Sequence, residues 1–109
     1  MNQRMQRRVP VALPVRVSGR DKLGMEFDDS TEALDVSRRG LSFLTRRELG
    51  VLDKVNVILP GRGPSRPGEG PSDFYSEATV IRITPEGDTF RVALRFMGAT
   101  LAVYTSESA

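Results

Sequence analysis

The sequence predicts an all-β fold, a six-stranded antiparallel β-barrel with little helix, on three observations. Apolar residues recur at every second position in several short runs, the period of a strand with one buried face. Clusters of Gly, Pro, Asp and Ser bound these runs and supply the turns. The chain has 109 residues, enough for one domain with a modest core, and closing a small sheet on itself removes its exposed edges.

The first strand follows from Val9, Val11, Leu13, Val15 and Val17 alternating with Pro10, Ala12, Pro14 and Arg16. The two prolines share the other face and cannot donate ladder hydrogen bonds, so they mark an edge or a poorly paired stretch. Residues 28–32 read as a polar turn. Leu34 and Val36, alternating with Ala33, Asp35 and Ser37, form a short second strand that runs into an Arg38-Arg39-Gly40 turn. Leu41 and Phe43 open its hairpin partner. Residues 46–53 are either a helical turn or a loop. Val55, Val57 and Leu59 make a further strand, ended by Pro60-Gly61.

Residues 60–73 are rich in Pro, Gly and Ser and hold no apolar side chain apart from proline, which predicts a long mobile connection. Strand residues resume near Tyr75, continue through Val80, Ile81 and Ile83, and stop at the turn Pro85-Glu86-Gly87-Asp88. On the last strand Phe90, Val92, Leu94 and Phe96 form the core stripe, with Arg91, Ala93 and Arg95 on the other face. Arg91 and Arg95 read as solvated charges. The expected organisation is an arginine-rich leader over residues 1–8, a barrel over 9–98 and a C-terminal tail over 99–109 with no long amphipathic pattern.

Composition narrows the function. With 39% hydrophobic and 28% charged residues the chain is a globular domain rather than a disordered one. It contains no His, Cys or Trp, which removes Ser-His-Asp and Cys-His nucleophile systems, disulfides and zinc sites built from Cys or His. No paired carboxylates or nucleophile–base pair stand out, so an enzyme is not expected, nor a metal or cofactor. Arg4, Arg7 and Arg8 precede a short apolar stretch, but Pro10, Pro14 and Arg16 break it and no small-residue cleavage pattern follows. No window approaches the roughly 20 apolar residues of a membrane span. A cytoplasmic protein is the expectation.

Net charge is +2, yet the charges are segregated: Met1 to Arg20 carries five arginines and no acid, and Asp21 to Asp35 six acids against Lys22. Of the sixteen basic residues only Lys22 and Lys54 are lysine, and arginine is the side chain suited to bidentate recognition of phosphates and guanine edges. Two clusters gather the chemistry, Arg4 to Arg8 before the first strand and Asp35 to Gly40 at the second hairpin. Asp35 and Ser37 lie two apart on a strand and project from one face, opposite Leu34 and Val36. Their carboxylate and hydroxyl match the N1–H and N2–H₂ edge of a guanine, and leader arginines match its O6/N7 edge and phosphate. Gly40 sits where a hairpin turn often needs positive φ, or where backbone must approach a ligand closely.

At these residues the chain resembles the PilZ domain family. Arg4-x-x-x-Arg8 followed at once by Val9-Pro10 matches the family's RxxxR element, and Asp35-x-Ser37-x-x-Gly40, beginning 27 positions after Arg8, matches its [D/N]xSxxG signature. The resemblance runs from about Arg4 to Met97. It implies a six-stranded antiparallel barrel that binds the bacterial second messenger cyclic di-GMP and signals to a protein effector. Carried over residue by residue, it names Arg4 and Arg8 for guanine and phosphate, and Asp35, Ser37 and Gly40 for a guanine on the barrel surface. Arg7 and Arg39 adjoin the motifs and are secondary candidates for phosphate. The leader has no apolar anchor of its own, so ligand is expected to order it across the barrel.

Two other readings start from the same residues. A small single-stranded nucleic-acid-binding barrel would present exposed aromatics as stacking platforms, whereas the Phe and Tyr residues here fall mostly at core-like positions or near loops. A degenerate barrel of the same family could serve as a protein-interaction module, against which the intact motifs argue.

Overall fold

Alternating side chains become strands wherever one face can be buried, and eight strands result in the computed structural model, which describes residues 9–68 and 70–98. They are β1 (Val9–Arg20), β2 (Glu26–Ser37), β3 (Gly40–Thr45), β4 (Lys54–Leu59), β5 (Ser65–Arg66), β6 (Gly70–Pro71), β7 (Phe74–Glu86) and β8 (Thr89–Phe96). Six of them close an antiparallel barrel in the order β1-β2-β3-β8-β7-β4, with β4 returning to β1. No helix occurs among the described residues. The expected leader and tail lie outside the described residues.

The barrel closes because its long strands change neighbours along their length, as a tilted, staggered barrel requires. β7 pairs β4 through Phe74 to Thr79 and β8 through Ala78 to Glu86. β1 pairs β2 over most of its length but reaches β4 only from Arg16 to Gly19. Pro10 and Pro14 both fall in the half of β1 that has β2 as its sole described neighbour, and the β1–β2 register shifts between Pro10 and Leu13. The poorly paired stretch expected from the prolines is therefore present.

Much of the interior comes from the expected alternating stripes, although Leu13 and Phe90 are only partly buried against it. Val15, Val17, Val57, Leu59, Val80 and Val92 are each at most 1% exposed. Phe74 and Phe96 meet at 5.0 Å between ring centroids. Gly87 adopts φ 62° in the two-residue turn that joins β7 to β8, the connection whose twist suits an antiparallel hairpin.

Three local expectations need correction. Residues 28–32 are not a turn but the middle of β2, paired with Pro14 to Ser18 of β1. Directly opposed residues share a face, so Asp29 and Thr31 stand beside the buried Val17 and Val15. Polar side chains at inward positions erased the apolar period. Asp29 is accommodated there because Arg47 grips it with Nε and Nη2, both at 2.8 Å, while stacking 5.1 Å over the Phe27 ring.

Leu34, expected in the core, is only half-buried; Ala33, expected on the outer face, takes a core position, and Val36 is buried as expected. The β2–β3 register shifts between Ala33 and Asp35, so Leu34 is an extra residue that exchanges the two faces of the strand. Residues 60–73 are not a featureless connection. β5 and β6 pair within them, and Gly63 N donates to Ser72 O at 2.8 Å and Gly61 N to the Asp73 carboxylate at 3.0 Å. Residues 46–53, left open between helix and loop, are a loop with a turn at Val51 and Leu52.

Candidate functional site

The β2–β3 hairpin brings the second motif together. Ser37 holds the turn from inside: its hydroxyl oxygen accepts a hydrogen bond from the Arg39 backbone N–H at 3.3 Å and donates to the Gly40 carbonyl at 3.4 Å. The Arg39 carbonyl then accepts from Phe96 N at 2.7 Å, which ties the hairpin to the end of β8. Arg38 and Arg39 are exposed at its tip.

Gly40 is glycine for a reason that neither expectation named. Its φ is not in the left-handed region. A Cβ there would overlap the Leu94 carbonyl oxygen, with the Leu94 carbonyl carbon at 3.0 Å and Arg95 Cα at 3.2 Å. The backbone it approaches is that of β8, its own neighbour in the barrel.

Strand pairing aligns the outward side chains in rows. One row runs Asp35 (β2), Ser42 (β3), Ala93 (β8) and Arg82 (β7). The next runs Ser37, Gly40, Arg95 and Thr79. Both lie on the face opposite the core, which Val36, Leu41, Leu94 and Val80 line. Asp35 and Ser37 thus project side by side, as their spacing predicts, with exposed Arg95 beside them. The Asp35 side chain is only 15% exposed. Arg91 of β8 reaches it, Nη2 to Oδ2 at 3.0 Å, and lies 3.7 Å from Glu86 on its other side.

Arg4, Arg7 and Arg8 lie outside the described residues. Sequence reasoning missed Arg91, which it read as a solvated charge. It sits 56 positions from Asp35, and no local pattern signals a pairing that exists only because β3 lies between β2 and β8.

A cavity of about 430 Å³ lies at the opposite end of the barrel, lined by Lys22, Glu48, Leu49, Gly50, Val51, Ile83 and Phe90. It contains no motif residue. The described motif side chains lie instead on the outer surface, where Asp35, Ser37 and the exposed Arg38 and Arg39 offer charge and hydrogen-bonding groups. Among the described residues no group of three or more Asp or Glu could hold a metal ion. No helix among them is long and apolar enough to cross a membrane.

No curated protein and no solved structure matches the chain. A family model does, that of the PilZ domain, over residues 2–105. Nearly the whole chain is matched and the barrel is the one the resemblance implied; the chain belongs to the PilZ domain family, a family of cyclic di-GMP receptors rather than of enzymes.

Proposed function

We propose that this chain binds cyclic di-GMP on the outer face of the β2–β3 hairpin and acts as a signalling receptor that passes the signal to a protein effector. The observation that carries the reading is the alignment of Asp35 and Ser37 on one outward face of the hairpin, in a chain of this family. The Asp35 carboxylate supplies the acceptors for a guanine N1–H and N2–H₂ edge. Ser37 shapes the turn that presents the exposed Arg38 and Arg39.

Arg4 and Arg8 serve the guanine O6/N7 edge and the phosphates, and Arg7 and Arg39 add phosphate contacts. The ligand is bound and not turned over, and no cofactor enters. The reading places the chain in the bacterial cytoplasm, where such a messenger circulates. Among the described residues Tyr75 is the one exposed aromatic side chain, which keeps single-stranded nucleic acid a weaker alternative.

Calorimetric titration with cyclic di-GMP, with GTP as control and Arg8→Ala alongside, tests it. The expected result is a dissociation constant of about 1 μM or tighter, roughly 8 kcal/mol of binding free energy, which Arg8→Ala removes and GTP does not reproduce. A folded sample that binds no cyclic di-GMP overturns the reading and turns the search to protein partners.

A further inference from the structure

Arg91 reaches Asp35 from β8, two strands away on the same outward face of the barrel. β8 and β2 are separated by β3, so at about 4.8 Å per strand the gap is on the order of 10 Å. Only a long side chain crosses that distance. Arg91 does so on a diagonal: Ala93 lies in the same row as Asp35, and Arg91 is two residues back along β8 on the same outward face. The two residues between them in the row, Ser42 and Ala93, are small and buried, 3% and 5% exposed. They leave the arginine a lane along the sheet surface.

Of the two terminal nitrogens of the guanidinium, Nη2 meets Asp35 Oδ2 at 3.0 Å and Nη1 stands 3.7 Å from Oε2 of Glu86, the last residue of β7. The pair is partly withdrawn from water, with side-chain exposures of 38% for Arg91 and 15% for Asp35. That makes it a stronger and more directional hydrogen bond than a surface ion pair.

We propose that Arg91 is a positioning residue of the ligand site, holding the Asp35 carboxylate in the orientation that reads a guanine edge. The inference rests on the cyclic di-GMP reading above. An ionised carboxylate accepts up to about four hydrogen bonds, so the one from Arg91 is compatible with donors from a base. A guanine edge presents two parallel N–H donors, and a carboxylate meets both only in one plane. Anchoring one of its oxygens from the side restricts that rotation before ligand arrives, and preorganisation of this kind raises affinity by lowering the ordering cost. The Glu86 carboxylate, 3.7 Å from the other terminal nitrogen, adds a longer ion-pair contact to the same guanidinium.

The test compares cyclic di-GMP with cyclic di-IMP, whose hypoxanthine lacks the exocyclic N2 amine. Both are titrated into wild type, Arg91→Ala, Arg91→Lys, Asp35→Ala and the Arg91→Ala/Asp35→Ala double variant, with thermal melts for each. Arg91→Ala is expected to weaken cyclic di-GMP about tenfold, equivalent to about 1.4 kcal/mol, and to weaken cyclic di-IMP less, so that discrimination between the two falls. Arg91→Lys, which keeps charge and stem, recovers part of the loss and serves as the main variant should Arg91→Ala melt below the assay temperature. In the Asp35→Ala background, Arg91→Ala should change affinity less than about twofold, because the residue it acts through is gone.

Equal weakening of both nucleotides, or the same tenfold loss without Asp35, assigns Arg91 to phosphate contact or general support and overturns the proposal. Tighter binding by Arg91→Ala also overturns it, showing the ion pair to compete with ligand. Wild type that binds neither nucleotide overturns the receptor reading and this inference with it; wild-type binding that Arg91→Ala leaves unmoved overturns this inference alone.

Discussion

Replacing Gly40 by alanine separates the barrel's needs from the ligand's. One methyl group is added at a backbone whose φ is not left-handed, so no torsional strain is introduced. The cost is steric and local: the new Cβ would overlap the Leu94 carbonyl oxygen and press on Arg95 Cα at 3.2 Å. A backbone oxygen cannot swing aside like the end of a side chain, so β3 and β8 must part at the Gly40–Arg95 pair. Overpacking of this kind costs about 1–3 kcal/mol, and a weakened ladder hydrogen bond adds about 1 kcal/mol. A net loss of about 2–4 kcal/mol is expected, which for a domain of this size, at roughly 4–6 °C per kcal/mol, lowers Tm by roughly 8–24 °C.

Urea and thermal denaturation measure the loss, and titration with cyclic di-GMP on the same samples, held well below the lowered Tm, measures binding. Because Ser37 and the Asp35 row hang on this hairpin, affinity should fall with stability. A Gly40→Ala protein within about 0.5 kcal/mol of wild type would refute the close-approach argument. Loss of binding at unchanged stability would assign Gly40 to ligand contact instead.

Other outcomes follow from the same structure. Leu52 is 72% exposed and holds φ 82°, a conformation that costs a leucine about 1–2 kcal/mol, so Leu52→Asn should stabilise by about 0.5–1 kcal/mol in urea unfolding, and a destabilised variant would show the exposed leucine to be packed. Arg47 donates to Asp29 and holds its carboxyl below the ordinary range, mainly through that hydrogen bond. With the folded pKa lowered, the pair's contribution is fully present above the unfolded value of about 4 and is lost as pH falls through the folded value. Asp29→Asn should therefore cost about 0.5–1 kcal/mol near neutral pH and flatten that acid limb; an unchanged limb would place the acid sensitivity elsewhere. Deleting residues 1–8 should abolish cyclic di-GMP binding and leave the melting curve intact, and a chain that no longer folds would make the leader structural.

What could be read from the sequence was whatever a strand or a hairpin expresses locally. Val55, Val57 and Leu59, and Val92, Leu94 and Phe96, keep strict period-two alternation because each strand buries one face and turns the other outward, and all six are buried. The Asp35 to Gly40 motif was legible for the same reason: it lies within one hairpin, where spacing alone puts Asp35 and Ser37 on one face. Residues 28–32 escaped because Asp29 and Thr31 take inward positions, and that is tolerable only once Arg47, from a loop 18 positions away, covers the aspartate. Leu34 escaped because a single extra residue reverses the inward face, and a bulge is set by the register with the neighbouring strand rather than by composition.

Tertiary structure alone decided the rest of the site. Gly40 is required by the carbonyl of Leu94, and Asp35 is held by Arg91; both partners come from β8, more than 50 positions along the chain. Barrel closure makes β8 the neighbour of β3, and that contact is a property of the closed sheet which no stretch of the sequence carries.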